Sequence, residues 1–146
     1  MSLKIIKGNL VIAAKQGQFD IIMHGCNCFC NMGAGIAKEI KKQFPRAYAV
    51  DCETKRGDGN KLGTISVAHY YNVDVVNAYT QFTFGRGLQL DYKALRECLK
   101  TIKQEYSGKR IGMPKIGCGL AGGNWDKIQE MIEEELKDED VTIMYL

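Results

Sequence analysis

Two features of this 146-residue chain predict a layered α/β domain. Short apolar runs rich in β-branched residues alternate with segments whose apolar residues recur every three or four positions, as strands alternate with helices. Two glycine-rich stretches each fall between a strand-like run and the start of a helical one. The composition agrees, because 45% hydrophobic and 25% charged residues with a net charge of +3 are the values of a folded domain and exclude a disordered tail. A chain of this length buries roughly 70% of its unfolded surface, enough for a core without cross-links.

Residues 3–7 and 21–24 read as the first two strands, joined by Gly8-Asn9-Leu10 and a short segment ending at Gly17. Ile36, Ile40 and Phe44 then share one helical face, which stops at Pro45 because proline disfavours helical geometry in the residue before it. A shorter helix is expected over residues 48–55, ahead of the polar turn Arg56-Gly57-Asp58-Gly59-Asn60. Residues 64–71 and 73–80 read as adjacent strands turned at Asn72, with hairpin character. Tyr92, Leu95, Leu99, Ile102 and Tyr106 step by three and four behind Asp91, a natural N-cap, and end at Gly108. Residues 110–113 form the next strand; Trp125, Ile128, Ile132 and Leu136 mark the last helix behind Asn124, and residues 141–146 the last strand. No repeat or linker divides the chain, so one domain over residues 1–146 is expected.

Several functional classes drop out. No apolar run approaches the roughly 20 residues needed to span a membrane, and Met1-Ser2-Leu3-Lys4 lacks the apolar stretch of a signal peptide. No membrane partner and a cytoplasmic location are therefore expected. Six cysteines without an export signal read as buried thiols, not a disulfide framework. A pI near 8.5 with dispersed lysines gives only a weak overall attraction for polyanions.

The glycines carry most of the functional signal. Asn31-Met32-Gly33-Ala34-Gly35-Ile36-Ala37 and Gly117-Cys118-Gly119-Leu120-Ala121-Gly122-Gly123 both lead into helices. Glycine allows backbone N–H groups to turn inward and approach a ligand, while a helix N-terminus adds unpaired N–H groups and positive potential. A single such cluster is most simply a turn. Two in equivalent places suit a ligand with a pyrophosphate.

Other motifs fit less well. Gly117, Gly119 and Gly122 satisfy G-x-G-x-x-G, but the ribose-binding acid and the further βα units of a dinucleotide fold do not follow. Asp138-x-Asp140 precedes a strand, where a phosphatase nucleophile would follow one. Cys26-x-Cys28-x-Cys30 beside His24 lacks the spacing and distant second pair usual for zinc. No metal and no cofactor are expected.

Taken together, His24-Gly25-Cys26-Asn27, Met32-Gly33-Ala34-Gly35-Ile36-Ala37 and Met113-Pro114-Lys115-Ile116-Gly117-Cys118-Gly119-Leu120-Ala121-Gly122-Gly123-Asn124-Trp125 resemble a macrodomain. The likeness runs from Lys7 to Leu146 and is greatest to the branch with fungal ADP-ribose-1″-phosphate phosphatases and small terminal ADP-ribose protein glycohydrolases. The resemblance implies a three-layer α/β/α fold around a mixed, mostly parallel sheet of about six strands, with ADP-ribose at the strand ends. It implies that Asn9 meets the adenine amino group, Leu10 supplies a neighbouring N–H, and Asn27 touches the distal ribose. It further implies phosphate binding by Gly33, Ala34, Gly35 and Ile36 and by Gly117, Cys118, Gly119, Leu120 and Ala121, with Tyr145 packing the adenine.

Departures from that branch bear on mechanism. Its glycohydrolases resemble one another in using a lysine just after the fourth strand, and the protein-directed ones an aspartate after G-C-G-L. Here residues 79–91 contain no lysine and the second position is Ala121. The Phe84-Gly85 loop and the His-x-Cys-Asn run resemble the phosphatases instead. The expected reaction is hydrolysis of ADP-ribose-1″-phosphate, with Asn27 and His24 as the catalytic candidates; His24 is equally well read as a structural residue ending an apolar strand. Removal of ADP-ribose from protein or nucleic acid, and binding of ADP-ribose without catalysis, are the alternatives.

Overall fold

The computed structural model describes residues 2–85, 87–118 and 121–146. The chain runs β1 (Ser2–Lys7), α1 (Leu10–Lys15), β2 (Ile21–Cys26), α2 (Gly35–Gln43), α3 (Pro45–Cys52), a 3-10 turn (Gly59–Lys61), β3 (Ile65–His69), β4 (Asp74–Tyr79), α4 (Tyr92–Tyr106), β5 (Arg110–Met113), α5 (Trp125–Glu135) and β6 (Asp140–Tyr145). Six strands form one sheet in the order β1-β6-β5-β2-β4-β3. All neighbours are parallel except β3 and β4, the expected hairpin, which pair from Ile65 opposite Ala78 to His69 opposite Asp74. The sheet is thus mixed and mostly parallel, as predicted.

Alternation along the strands separates two faces. Ile21 and Met23 of β2, with Val76 and Ala78 of β4, pack under α4 and α5 against Leu95, Leu99, Ile102, Ile128 and Ile132. Ile22 and Val75 point the other way, into Leu10 and Ala14 of α1, Ile40 of α2 and Ala47 of α3. Parallel strands covered on both sides read as continuous apolar runs, which is why they were legible in the sequence. At Gly112 an added Cβ would lie 2.9 Å from the Phe19 ring, so β5 requires its glycine to admit that ring.

Two helices differ from expectation. Residues 10–15 form α1, because the Asn9 side chain accepts from the Ile12 N–H at 3.0 Å and caps a one-turn helix. Pro45 ends α2 and also begins α3 three residues earlier than expected, since proline at the first helical position lacks only an N–H that would have no intrahelical acceptor. Among the described residues no helix is long and apolar enough to cross a membrane.

The chain leaves β2 toward the face carrying α2 and leaves β5 toward the face carrying α5. Adjacent parallel strands whose connections diverge in this way open a crevice at their C-terminal ends. Both glycine-rich loops emerge there.

Candidate functional site

The crevice is a cleft of about 550 Å³, within the size range of small-molecule sites. One wall is residues 25–27, Asn31 and residues 33–37; the opposite wall is residues 114–117 and Ala121; Gln81, Phe84 and Gly85 stand at the side.

The first wall is built around Asn27, whose side-chain Oδ1 accepts from the Phe29 N–H at 2.8 Å and whose Nδ2 donates to the Asn31 carbonyl at 2.9 Å. These bonds fold residues 27–31 into a turn and leave one Nδ2 hydrogen for a ligand. Asn31 in turn accepts from the Gly33 N–H at 2.9 Å, which occupies that amide. Beneath the turn the buried Lys61 ammonium donates to the Cys28 carbonyl at 3.1 Å, and Gly57 N–H reaches the same oxygen at 2.7 Å. Gly25 is required because a Cβ there would lie 2.8 Å from Thr80 Oγ1.

The wall continues into α2, whose start lacks a side-chain cap, as does that of α3 behind Phe44. Asn9, Asp91 and Asn124 cap α1, α4 and α5 with side-chain oxygens, but α2 is preceded by Ala34, which makes no side-chain cap. Its first-turn N–H groups open onto the cleft with the positive end of the helix dipole. Gly35 adopts φ +59°, a conformation that favours glycine.

The second wall closes on itself. Gly123 N–H donates to the Gly117 carbonyl at 2.7 Å, and Ala121 accepts from Gln89 and Leu90 at 2.8 and 3.2 Å, which ties the loop to the chain after β4. A Cβ on Gly123 would approach the Gly117 oxygen to 2.6 Å. Cys118 does not line the cleft; its thiol donates to the Lys115 carbonyl at 3.0 Å, and burial raises its pKa, so it is held as a thiol. Gly119 and Leu120, expected in this loop, lie outside the described residues.

Expectation and structure part at the ends of the site. His24 is fully buried and does not line the cleft. Its position in β2 points it with Ile22 toward the α1–α3 side, where its Nε2 lies 2.7 Å from Asn77 Oδ1. Asn77 Nδ2 donates to the Ala47 carbonyl and to Ser66 Oγ, so its oxygen is the acceptor and His24 Nε2 carries the proton. Burial drives the His24 pKa down to about 4, leaving a neutral structural ring. Fully buried and bonded to Asn77, His24 presents no exposed ring atom to a ligand in the cleft.

Asn9, Leu10 and Tyr145 also lie outside the lining, although the fold brings them together: Gly8 N–H bonds to the Tyr145 carbonyl at 2.6 Å. Leu10 is buried, and the Asn9 oxygen is engaged by α1. Lys115 links this group to the cleft. Its ammonium sits 4.5 Å from the Tyr145 ring centroid and 5.7 Å from that of Trp125, the one cation lining the cleft among the described residues. Lys115, Gln81 and Asn31 line the cleft without having been expected there as site residues; their signal is position, shortly after β5, shortly after β4 and within the first glycine loop.

No carboxylate lines the cleft among the described residues, nor do three or more His, Cys, Asp or Glu side chains gather to hold a metal. The six cysteines are free. The arrangement offers backbone donors, an amide and one ammonium to an anionic ligand.

Comparison with known proteins agrees with this geometry. The Macro domain family model matches residues 23–132. A 17.5 kDa protein of the tk-vs intergenic region of Enterobacteria phage T4, described as uncharacterized, is 35% identical over 99% of this chain and 96% of its own length. The ADP-ribose glycohydrolase OARD1 of Homo sapiens is 31% identical over 94% of this chain and 86% of its own. An ADP-ribose 1″-phosphate phosphatase of Lodderomyces elongisporus is 24% identical over 92% of each chain. A solved structure of a Bacteroides thetaiotaomicron protein of unknown function superimposes with a TM-score of 0.82 at 28% identity, covering 100% of this chain and 99% of that one.

Proposed function

This chain belongs to the Macro domain family, and from that membership and the cleft we propose that it binds ADP-ribose and hydrolyses ADP-ribose-1″-phosphate to ADP-ribose and phosphate. The observation that carries the proposal is the uncapped α2 N-terminus facing the self-closed second glycine loop across a cleft that no carboxylate lines among the described residues. A pyrophosphate placed there meets N–H donors from both sides, and no acidic side chain repels it.

In this reading the first-turn amides of α2 and the backbone at Gly117 and Ala121 hold the pyrophosphate, the remaining Asn27 Nδ2 hydrogen orients the distal ribose, and Lys115 adds positive charge. Water attacks phosphorus, the P–O bond to the ribose breaks, and the leaving oxygen takes a proton from solvent. Among the described residues no imidazole or carboxylate lines the cleft to speed that transfer, so turnover is expected to be slow. Gln81 stands beside the cleft where the branch's glycohydrolases resemble one another in carrying lysine, and an amide cannot form an adduct with the ribose.

The test is phosphate release from ADP-ribose-1″-phosphate, with calorimetry on ADP-ribose alongside. Binding with stoichiometric or catalytic phosphate release is expected. Tight binding without release would reduce the protein to a binding module, and no binding at all would overturn the assignment of the cleft. The name of the human relative, ADP-ribose glycohydrolase, favours a second reading, cleavage of a glycosidic bond of ADP-ribose, which predicts release of ADP-ribose from an ADP-ribosylated substrate by the same protein.

A further inference from the structure

The cysteines of Cys26-x-Cys28-x-Cys30 take no part in the reaction proposed above, yet they are of two kinds. Cys26 and Cys28 are enclosed in the core, where burial pushes both thiols up. Cys30 is half-buried and has φ +55°, a conformation uncommon for a residue with a side chain. Its Sγ donates to the Asp51 carbonyl at 3.3 Å, with the Thr54 carbonyl and hydroxyl oxygens at 3.9 Å. A further neighbour is the Lys61 ammonium, 4.0 Å from the sulfur.

Lys61 is itself out of the ordinary. It is only 7% exposed and forms no ion pair among the described residues. Its Nζ donates to the Cys28 carbonyl at 3.1 Å and lies 4.8 Å from the Tyr79 ring centroid. The buried acid of this region, Asp51, accepts from the Tyr79 hydroxyl through Oδ1 at 2.7 Å, while its Oδ2 has no hydrogen-bond partner. A neutral donor would bond the Cys28 carbonyl without the cost of burying a charge. A primary amine adds what a neutral donor lacks, a nucleophile beside a thiol.

We propose that Cys30 and Lys61 form a redox modification site, at which hydrogen peroxide joins Sγ to Nζ through a sulfenamide bond that alters the first wall of the cleft. The Cys30 sulfur gives up its proton and attacks one peroxide oxygen; the S–O bond forms, the O–O bond breaks, and the other oxygen leaves with that proton as water. Sulfur supplies the two electrons that the peroxide takes. Lys61 then passes one ammonium proton to solvent and attacks the sulfenic sulfur. The S–N bond forms, the S–O bond breaks, and the hydroxyl departs as water with a second ammonium proton. Excess thiol reverses the bond by attacking sulfur and releasing the amine. Cys30 lies within the turn that Asn27 and Asn31 fold, and Lys61 supports the same turn through Cys28. Drawing the two atoms together from 4.0 Å removes the charge under that turn and shifts it. Only this effect on the ligand rests on the ADP-ribose reading; the bond itself does not.

The experiment treats the full chain with hydrogen peroxide, blocks the remaining thiols, and maps tryptic peptides by mass spectrometry without reduction. Cys30 falls in the peptide of residues 16–38, and Lys61, no longer a cleavage site once bonded, in that of residues 57–86, which contains no cysteine. The expected result is a linked pair of these peptides, lighter than their sum by two hydrogen atoms and separated by dithiothreitol; no disulfide can join them. Cys30→Ser and Lys61→Arg should each abolish the pair, and Cys52→Ser, at an exposed cysteine, should keep it. In calorimetry, linked wild-type protein should bind ADP-ribose at least about fivefold more weakly, with recovery in dithiothreitol. Lys61→Arg, which keeps a charged donor under Cys28, should show no response to peroxide. Absence of the pair in wild type, its persistence in Cys30→Ser, a disulfide between the peptides of residues 16–38 and 47–55 in its place, or unchanged affinity of the linked protein would overturn the proposal. If reduced protein binds no ADP-ribose, the cleft reading fails, while the linked peptides still support the bond.

Discussion

His24 shows how one side chain is settled by what surrounds it. A catalytic acid can be replaced with little effect on stability, whereas this ring fills a buried site and satisfies Asn77. His24→Ala should therefore cost about 2–4 kcal/mol in urea unfolding, from the cavity and the orphaned Asn77 oxygen, while folded protein keeps its ADP-ribose affinity. Loss of turnover at unchanged stability would contradict the assignment. Gly35 is the opposite case, a residue whose value lies in having no side chain. With φ +59° at the uncapped start of α2, Gly35→Glu both strains the backbone and sets a carboxylate against the anionic ligand. Like-charge contact costs several kcal/mol, so calorimetry should show an affinity loss of at least about a hundredfold.

Among the elements, α4, α5 and the hairpin were legible because their signals are local: apolar residues every three or four positions behind Asp91 or Asn124, and two β-branched runs meeting at a turn. α1 was not, because a six-residue helix shows little periodicity and its cap, Asn9, resembled a ligand contact. The second glycine loop was legible as a loop, but its internal closure was not. A Cβ at Gly123 meets the Gly117 oxygen at 2.6 Å, a Leu90 methyl at 2.6 Å and an Ile128 methyl at 2.9 Å, so Gly123→Ala has to open the loop. A destabilisation of about 1–3 kcal/mol is expected, with weaker ADP-ribose binding in the protein that remains folded. Unchanged affinity in calorimetry would show that this closure does not shape the site.

At the scale of the whole molecule, acid should lower the stability over two successive pH ranges. His24 titrates near 6.5 when unfolded and about 4 when folded, because burial opposes its charge. Above pH 6.5 the ring is neutral in both states and the fold has its full stability. As the pH falls from 6.5 to 4 only the unfolded chain takes the proton, a loss on the order of 3 kcal/mol. Glu139 acts at lower pH. Its carboxylate accepts from Lys103, the Gly108 N–H and Ser107, which hold its pKa down to about 2 from 4.5. The stability it contributes is present above 4.5 and lost as the pH falls toward 2. Urea titrations across this range should show both slopes, and Glu139→Gln should remove only the lower one.

The sequence by itself determined the layered class, most of the strands and helices, and the two glycine loops, because each is encoded by neighbours within a few positions. Whether a residue meets the ligand depends instead on which face of the sheet it occupies and which distant segment closes over it. Alternation along β2 sent His24 into the core, and divergent connections from β2 and β5 opened the cleft. Packing also carried Lys115 to its wall and brought Phe29, from the loop after β2, against Phe82 and Phe84 from the loop after β4. Those juxtapositions join segments tens of residues apart, and only the tertiary structure decides them.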